Sequence, residues 1–277
     1  MNINKKRVFK NILAYTFIIL FLAITLTPYF WLIVTSFKTR MDAFTIPPKL
    51  IFTPTFDNYR TAFLDKGFLS NFKNSLIVAI FSTFFSMVVG LPSAYAFSRF
   101  PMKGDHFLYF YLLATRFTPV IVLALPLYMI MSKFHLLNTF TGIIIAHTAF
   151  NLAFVVWMMK GFFDAVPAEI DDASRVDGCS RLGTFLRMAI PLTINGLAAT
   201  TIFCAINSWN EFLMALILTG HFTATLPVAI PGLLTPQGTF WGQIAAVGSV
   251  ITIPVLVLSI VVQKYMIKGM TFGAVKG

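Results

Sequence analysis

Four stretches of this chain run without a single charged side chain, and each is too long for an ordinary soluble helix. They are Asn11 to Phe37, Asn74 to Ser98, Phe134 to Met159 and Met188 to Asn210. A fifth, His106 to Ser132, is interrupted only by Arg116. A helix needs roughly 20 apolar residues to cross about 30 Å of hydrocarbon, so each run is a candidate span. The last uncharged stretch, Phe212 to Gln263, contains Pro227, Pro231, Pro236 and several glycines. Proline and glycine at that density break helices, which predicts an outer loop at 219–243 and a final span after it. The expected fold class is therefore all-α and polytopic. Its spans fall at about 12–36, 74–98, 107–131, 138–159, 190–218 and 244–263, in one membrane domain over residues 1–277.

Composition excludes a soluble core, because 57% of residues are hydrophobic and only 11% are charged. The net charge of +11 does not point to nucleic acid, since the basic residues lie in small groups beside apolar runs. Lys5, Lys6, Arg7 and Lys10 precede the first run as they would in a signal peptide. The run is much longer than an apolar signal core of roughly 7–15 residues, and a retained first span is expected. With the N-terminus inside, thirteen basic residues fall on inner segments and seven on outer ones. That bias, with an even number of spans, places both termini in the cytoplasm. Cys179 and Cys204 have no metal-ligand spacing and read as reduced, structural thiols.

The segment 164–187 then becomes a cytoplasmic loop, and it is unusually charged. Glu169, Asp171, Asp172 and Asp177 are four of the ten acids in the chain. Pro167 suits a helix start, and the acids that follow complement the helix dipole. Ile170, Ala173 and Val176 share a small apolar stripe at three-residue spacing. Gly178 provides a left-handed stop, and Ser180 can cap a second short helix bearing Leu182, Phe185 and Leu186. Anionic head groups would repel these acids, so a protein partner explains the hairpin better than a lipid surface does.

At these residues the chain resembles the EAA loop of ATP-binding-cassette importer permeases. Asp172, Ala173 and Ser174 stand where that pattern has Glu-Ala-Ala. Gly178 follows at the family spacing, and Met188, Ile190 and Pro191 close the block. The shorter acid, the serine, the methionine and the isoleucine are departures, whereas Ala173, Gly178 and Pro191 match. "PYFWLIVTSFKT", "NYRTAF", "SWNEFLMALILT" and the terminal "KGMTFGAVKG" extend the resemblance to the shorter six-span subunit of maltose-type carbohydrate permeases.

The resemblance implies a second homologous permease, two cytoplasmic ATP-binding subunits that hold ATP and Mg, and an external solute-binding protein. It implies that Glu169, Asp172, Ala173, Ser174, Gly178 and Pro191 form the element that docks on an ATPase. It also implies that the 219–243 loop can reach the binding protein and that the 268–277 tail touches the ATPase pair. No phosphate-binding glycine loop with the required spacing occurs in the chain, so the resemblance makes this a transport subunit that binds no cofactor of its own. ATP is then hydrolysed in trans.

Three further residues are weak candidates for a substrate or gate role. Arg116 is a charge inside a span, which is expensive and draws attention to function, or else it snorkels or meets a neighbouring subunit. Asn210 and Glu211 carry groups suited to sugar hydroxyls, while Trp209 reads as an interfacial belt residue. An ion-coupled carrier or channel is the competing class, and an importer for a non-sugar solute is the competing substrate. Carriers favour internal repeats and midplane carboxylates. This chain shows no convincing repeat, and Glu211 is its only acid within a span.

Overall fold

The structure, a computed structural model, describes residues 2–235 and 238–274, and the side chains of 7–235 and 238–265. The long uncharged runs are helices, as apolar segments in lipid must be to satisfy their own backbone. In chain order these are α1 (Asn2–Ser36), α2 (Phe68–Arg99), α3 (Asp105–Phe117), α4 (Val120–Lys133) and α5 (Phe140–Asp164). They continue with α6 (Ala168–Val176), α7 (Arg181–Thr184), α8 (Ile194–Asn210), α9 (Leu213–Leu218) and α10 (Trp241–Ala274). Among the described residues four helices are long and apolar enough to cross a membrane alone, and six spans result if each of two bent pairs counts as one.

The bends have local causes. The run 107–131 is not one helix but α3 and α4, meeting at 101°. Thr118 is extended, with ψ at 125°, because the ring of Pro119 disfavours the helical region for the residue before it. The second bend, of 82°, lies at Thr193 between Arg181–Leu192 and α8. The run 190–218 is interrupted again at Glu211, which is extended and separates α8 from α9. The segment before α2 holds a short helical element. A helical turn at Asp57–Arg60 widens into a π turn at Thr61–Asp65, and Gly67, with φ at 75°, ends it before α2 begins.

Two compact units compose the chain. The first comprises Met1–Leu69 and Ile230–Ile253, the second Ser70–Ala229 and Pro254–Gly277. In the first, Phe37, Phe56 and Tyr59 pack edge-on and tilted, with Phe37 5.2 Å from Phe56 and 5.4 Å from Tyr59. The Asn58 amide donates to the carbonyls of Ser36 and Lys38 at 2.9 and 2.7 Å, tying the outer segment to the end of α1. Lys38 is buried with its ammonium 4.3 Å from the Trp31 ring centre. The two strands β1 (Leu234–Thr235) and β2 (Gly238–Thr239) pair antiparallel, with Leu234 opposite Thr239.

The second unit holds two apolar cores. One gathers Met87, Tyr95, Val156, Met159, Phe163 and Phe185 around the C-terminal halves of α2 and α5. The other gathers Val78, Met131, Ile143, Met214 and Leu218. The start of the 219–243 segment is stitched down by polar side chains. Asn71 donates to Ala224, Asn74 to Phe222 and Ala224, and Asn138 accepts from the Gly220 amide and the Thr223 hydroxyl.

Close packing at α5 leads to a stability prediction. A Cβ on Gly142 would lie 2.2 Å from the Leu136 carbonyl oxygen, a backbone atom that cannot step aside. Gly142→Ala should destabilise the second unit by about 1–3 kcal/mol, the usual range for overpacking. A thermal midpoint in detergent equal to wild type would refute it.

Candidate functional site

The charged loop folds as two short helices joined at a glycine. Pro167 precedes α6, and Glu169 and Asp171 occupy its first turn. At the far end the Cys179 amide donates to Ser174 and the Gly178 amide to Arg175, the paired closing bonds of a left-handed cap. Gly178 has φ at 86°, a region that L side chains rarely adopt. Ser180 then caps α7 by accepting from the Gly183 amide at 3.1 Å. A π turn at Phe185–Ala189 leads to Pro191 at the bend before α8.

The two faces of α6 differ in kind. The inward face is polar, for Asp171 and Ser174 are its buried residues. Their three-residue spacing puts them on one side. Glu169, Asp172, Ala173, Val176 and Gly178 are exposed, and Val176 is 88% accessible. The stripe of Ile170, Ala173 and Val176 faces outward, apart from the partly covered Ile170. Four acids in one short segment hid a division of labour. One of them anchors, while Glu169, Asp172 and Asp177 face out.

The anchor is dense. Asp171 Oδ2 accepts from Arg99 Nε at 2.6 Å and from the Tyr95 hydroxyl at 3.0 Å. Arg99 also donates to the Val166 carbonyl at 2.8 Å. Ser174 Oγ lies 2.6 Å from Thr184 Oγ1, joining α6 to α7. Sequence reasoning placed Ser174 with the docking residues, whereas its hydroxyl is turned into this network. Arg99, Tyr95, Asp171 and Thr184 were missed as site residues. A basic residue closing a span beside a loop acid was the available signal.

The weak candidates inside the membrane lie elsewhere in the second unit. The Glu211 carboxylate accepts from the Met214 and Ala215 amides at 2.9 and 3.0 Å, capping α9 across the break. Its Oε2 is 3.4 Å from His147 Nε2. Beside it, Asn151 donates to Ser208 at 2.8 Å, and Ser82 donates to the same hydroxyl at 2.9 Å. His147, Phe150, Asn151, Ser208 and Glu211 line one small cleft. Asn210 is exposed and does not join them. Trp209, expected at an interface, is buried edge-on against Phe72 at 5.5 Å. Arg116 ends α3 at the bend, with its guanidinium 4.5 Å from the Phe150 ring centre and 5.7 Å from that of Phe154. The side chains of the tail Lys268 to Gly277 lie outside the described residues.

Helices long and apolar enough to span a membrane, joined by a charged segment that presents an exposed, acidic, small-residue helix, define a polytopic membrane protein of the transport type. The chain belongs to the family of binding-protein-dependent transport system inner membrane components, whose model matches residues 86–272. It is 32% identical to an inner membrane ABC transporter permease of Escherichia coli, over 98% of this chain and 99% of that protein. It is 31% identical to a trehalose/maltose transport system permease of Thermococcus litoralis, over 99% of both. Identity reaches 35% with an arabinooligosaccharides transport system permease of Halalkalibacterium halodurans, over 92% of both. In fold it matches a chain of a bacterial ABC transporter involved in import of the acidic polysaccharide alginate, with a TM-score of 0.79 and 24% identity over 94% of this chain and 97% of that one. The resemblance to carbohydrate importer permeases and the expected all-α architecture both hold.

Proposed function

We propose that this chain is the permease subunit of an ATP-driven importer that moves a sugar, oligosaccharide or sugar alcohol inward by alternating access. The observation that carries the reading is the outward face of α6. Glu169, Asp172, Ala173 and Val176 stand exposed on a helix whose other side is pinned by an ion pair. A helix so held, and so exposed, is built to be gripped. Two ATP-binding subunits, a second homologous permease and an external binding protein complete the assembly, with ATP and Mg held by the ATPases. Related permeases named for trehalose/maltose, arabinooligosaccharides and diacetylchitobiose support the substrate class. The bias of basic residues supports a bacterial inner membrane location with both termini in the cytoplasm.

Gentle extraction of the tagged chain from native membranes tests this. An ATP-binding subunit and a second permease should come with it. A chain that purifies alone or as a homo-oligomer, with flux indifferent to ATP, would replace the importer with a carrier or channel.

A further inference from the structure

The proposed docking face explains how a partner could hold α6, but not how a push on α6 would reach the spans. The connection from α5 to α6 is short: a closing turn at Ala165 and Val166 and then an extended Pro167, with ψ at 134°. By itself such a segment can swing and absorb a displacement. We infer that the Arg99–Asp171 ion pair is the link that passes the motion of α6 to α2. The inference rests on the proposed coupling to ATPase subunits and goes beyond it by naming the transmitting residues.

The geometry supports a rigid link rather than a casual surface contact. Both side chains are 10% exposed, and the Nε to Oδ2 distance is 2.6 Å. Arg99 grips two points of the following segment, the Asp171 carboxylate and the Val166 carbonyl, so both ends of the 166–171 stretch are fixed to the last turn of α2. A planar guanidinium fork holds such a pair of acceptors in a way that lysine cannot. Tyr95, one turn earlier on α2, donates to the same carboxylate oxygen. Ser174 and Thr184 then tie α6 to α7, so the whole hairpin follows α6. A buried ion pair that loses one partner leaves an uncompensated charge and is strongly disfavoured. The pair should therefore stay closed as α6 is displaced, and α2 should move with it. Arg99, Tyr95 and Asp171 act as positioning residues through their contacts with one another and with Val166.

The test is made on the purified assembly, with the chain's Cys179 and Cys204 replaced and a nitroxide placed at Val89, on the exposed face of α2. ATP with vanadate traps the hydrolytic state, and the nitroxide spectrum reports whether α2 has moved. Wild type should show a shift. Arg99→Gln should retain its ATP-binding subunit and hydrolyse ATP, yet lose at least roughly five-fold of the spectral change. Asp171→Glu, which keeps the carboxylate, should retain at least about half. Should Arg99→Gln fail to assemble, Asp171→Asn is measured in the same way. A variant that hydrolyses ATP and shifts as wild type does overturns the link alone. A wild-type assembly that hydrolyses ATP with no shift at position 89, or that contains no ATP-binding subunit, overturns the coupling reading beneath it.

Discussion

Gly178→Asp should reach the membrane at wild-type level and assemble its six spans, yet lose uptake by roughly ten-fold or more. The reasoning separates two effects that a single activity assay would merge. A Cβ at position 178 would meet nothing within 4 Å, so no packing is violated. The backbone cost of placing an L residue at φ 86° is about 1–2 kcal/mol, and aspartate is among the residues that tolerate that region best. A cost of that size, confined to one exposed cap, does not unfold a helical bundle. What changes is the surface, which gains a charge at the open end of α6, beside Asp177 and in line with Asp172. Each tenfold loss of docking affinity corresponds to about 1.4 kcal/mol, a modest demand for a misplaced carboxylate. Co-purification reads the outcome directly, because the ATP-binding subunit should be depleted from the mutant. Gly178→Asn shares the backbone cost without the charge and should keep most of the partner. Equal loss in both variants would shift the explanation from docking surface to cap strain, and wild-type uptake in Gly178→Asp would remove the docking claim.

How far the sequence could lead depended on which physical term set each feature. Spans were legible because hydrocarbon excludes charge, and charge can be counted residue by residue. The cap at Gly178 was legible because a glycine between two short amphipathic segments has few other uses. The break at Thr118–Pro119 was visible in principle. A run interrupted only by Arg116 hides a proline when only length and charge are weighed. The inward turn of Asp171 and Ser174 was hidden for a different reason. In a short helix of mixed composition the apolar stripe ordinarily marks the buried face. Here Arg99 offers a buried charge partner that outweighs the stripe of Ile170, Ala173 and Val176. Pairing of that kind depends on where α2 ends relative to α6, and no local pattern encodes it. The same holds for Glu211, whose partners are two amides beyond a helix break and a histidine on α5.

Glu211 accordingly carries the second large prediction. Glu211→Ala should cost the chain much of its folded population in the membrane, whereas Glu211→Gln should fold and transport. The carboxylate performs two tasks at once. It caps α9 through the Met214 and Ala215 amides, and losing a cap of that kind costs about 0.5–2 kcal/mol. It also faces His147, a residue whose side chain is 1% exposed and whose Nε2 lies 3.4 Å away. Removing one member of a buried polar pair leaves the other unsatisfied at a cost of about 1–3 kcal/mol, and low dielectric leaves His147 little alternative. Together these come to about 1.5–5 kcal/mol, a large share of the margin of about 5–15 kcal/mol typical of a folded protein. Glutamine keeps a similar volume and one oxygen to accept from one of the two amides, so part of the cap survives. Membrane abundance and the thermal midpoint in detergent separate the two variants. If Glu211→Gln instead folded as wild type but lost uptake of one solute, the residue would return to the list of substrate contacts. Its neighbours in the cleft, Asn151 and Ser208, would then be the next positions to change. If Glu211→Ala proved as stable as wild type, the capping and pairing seen at the break between α8 and α9 would be energetically idle, and the break itself would need another cause.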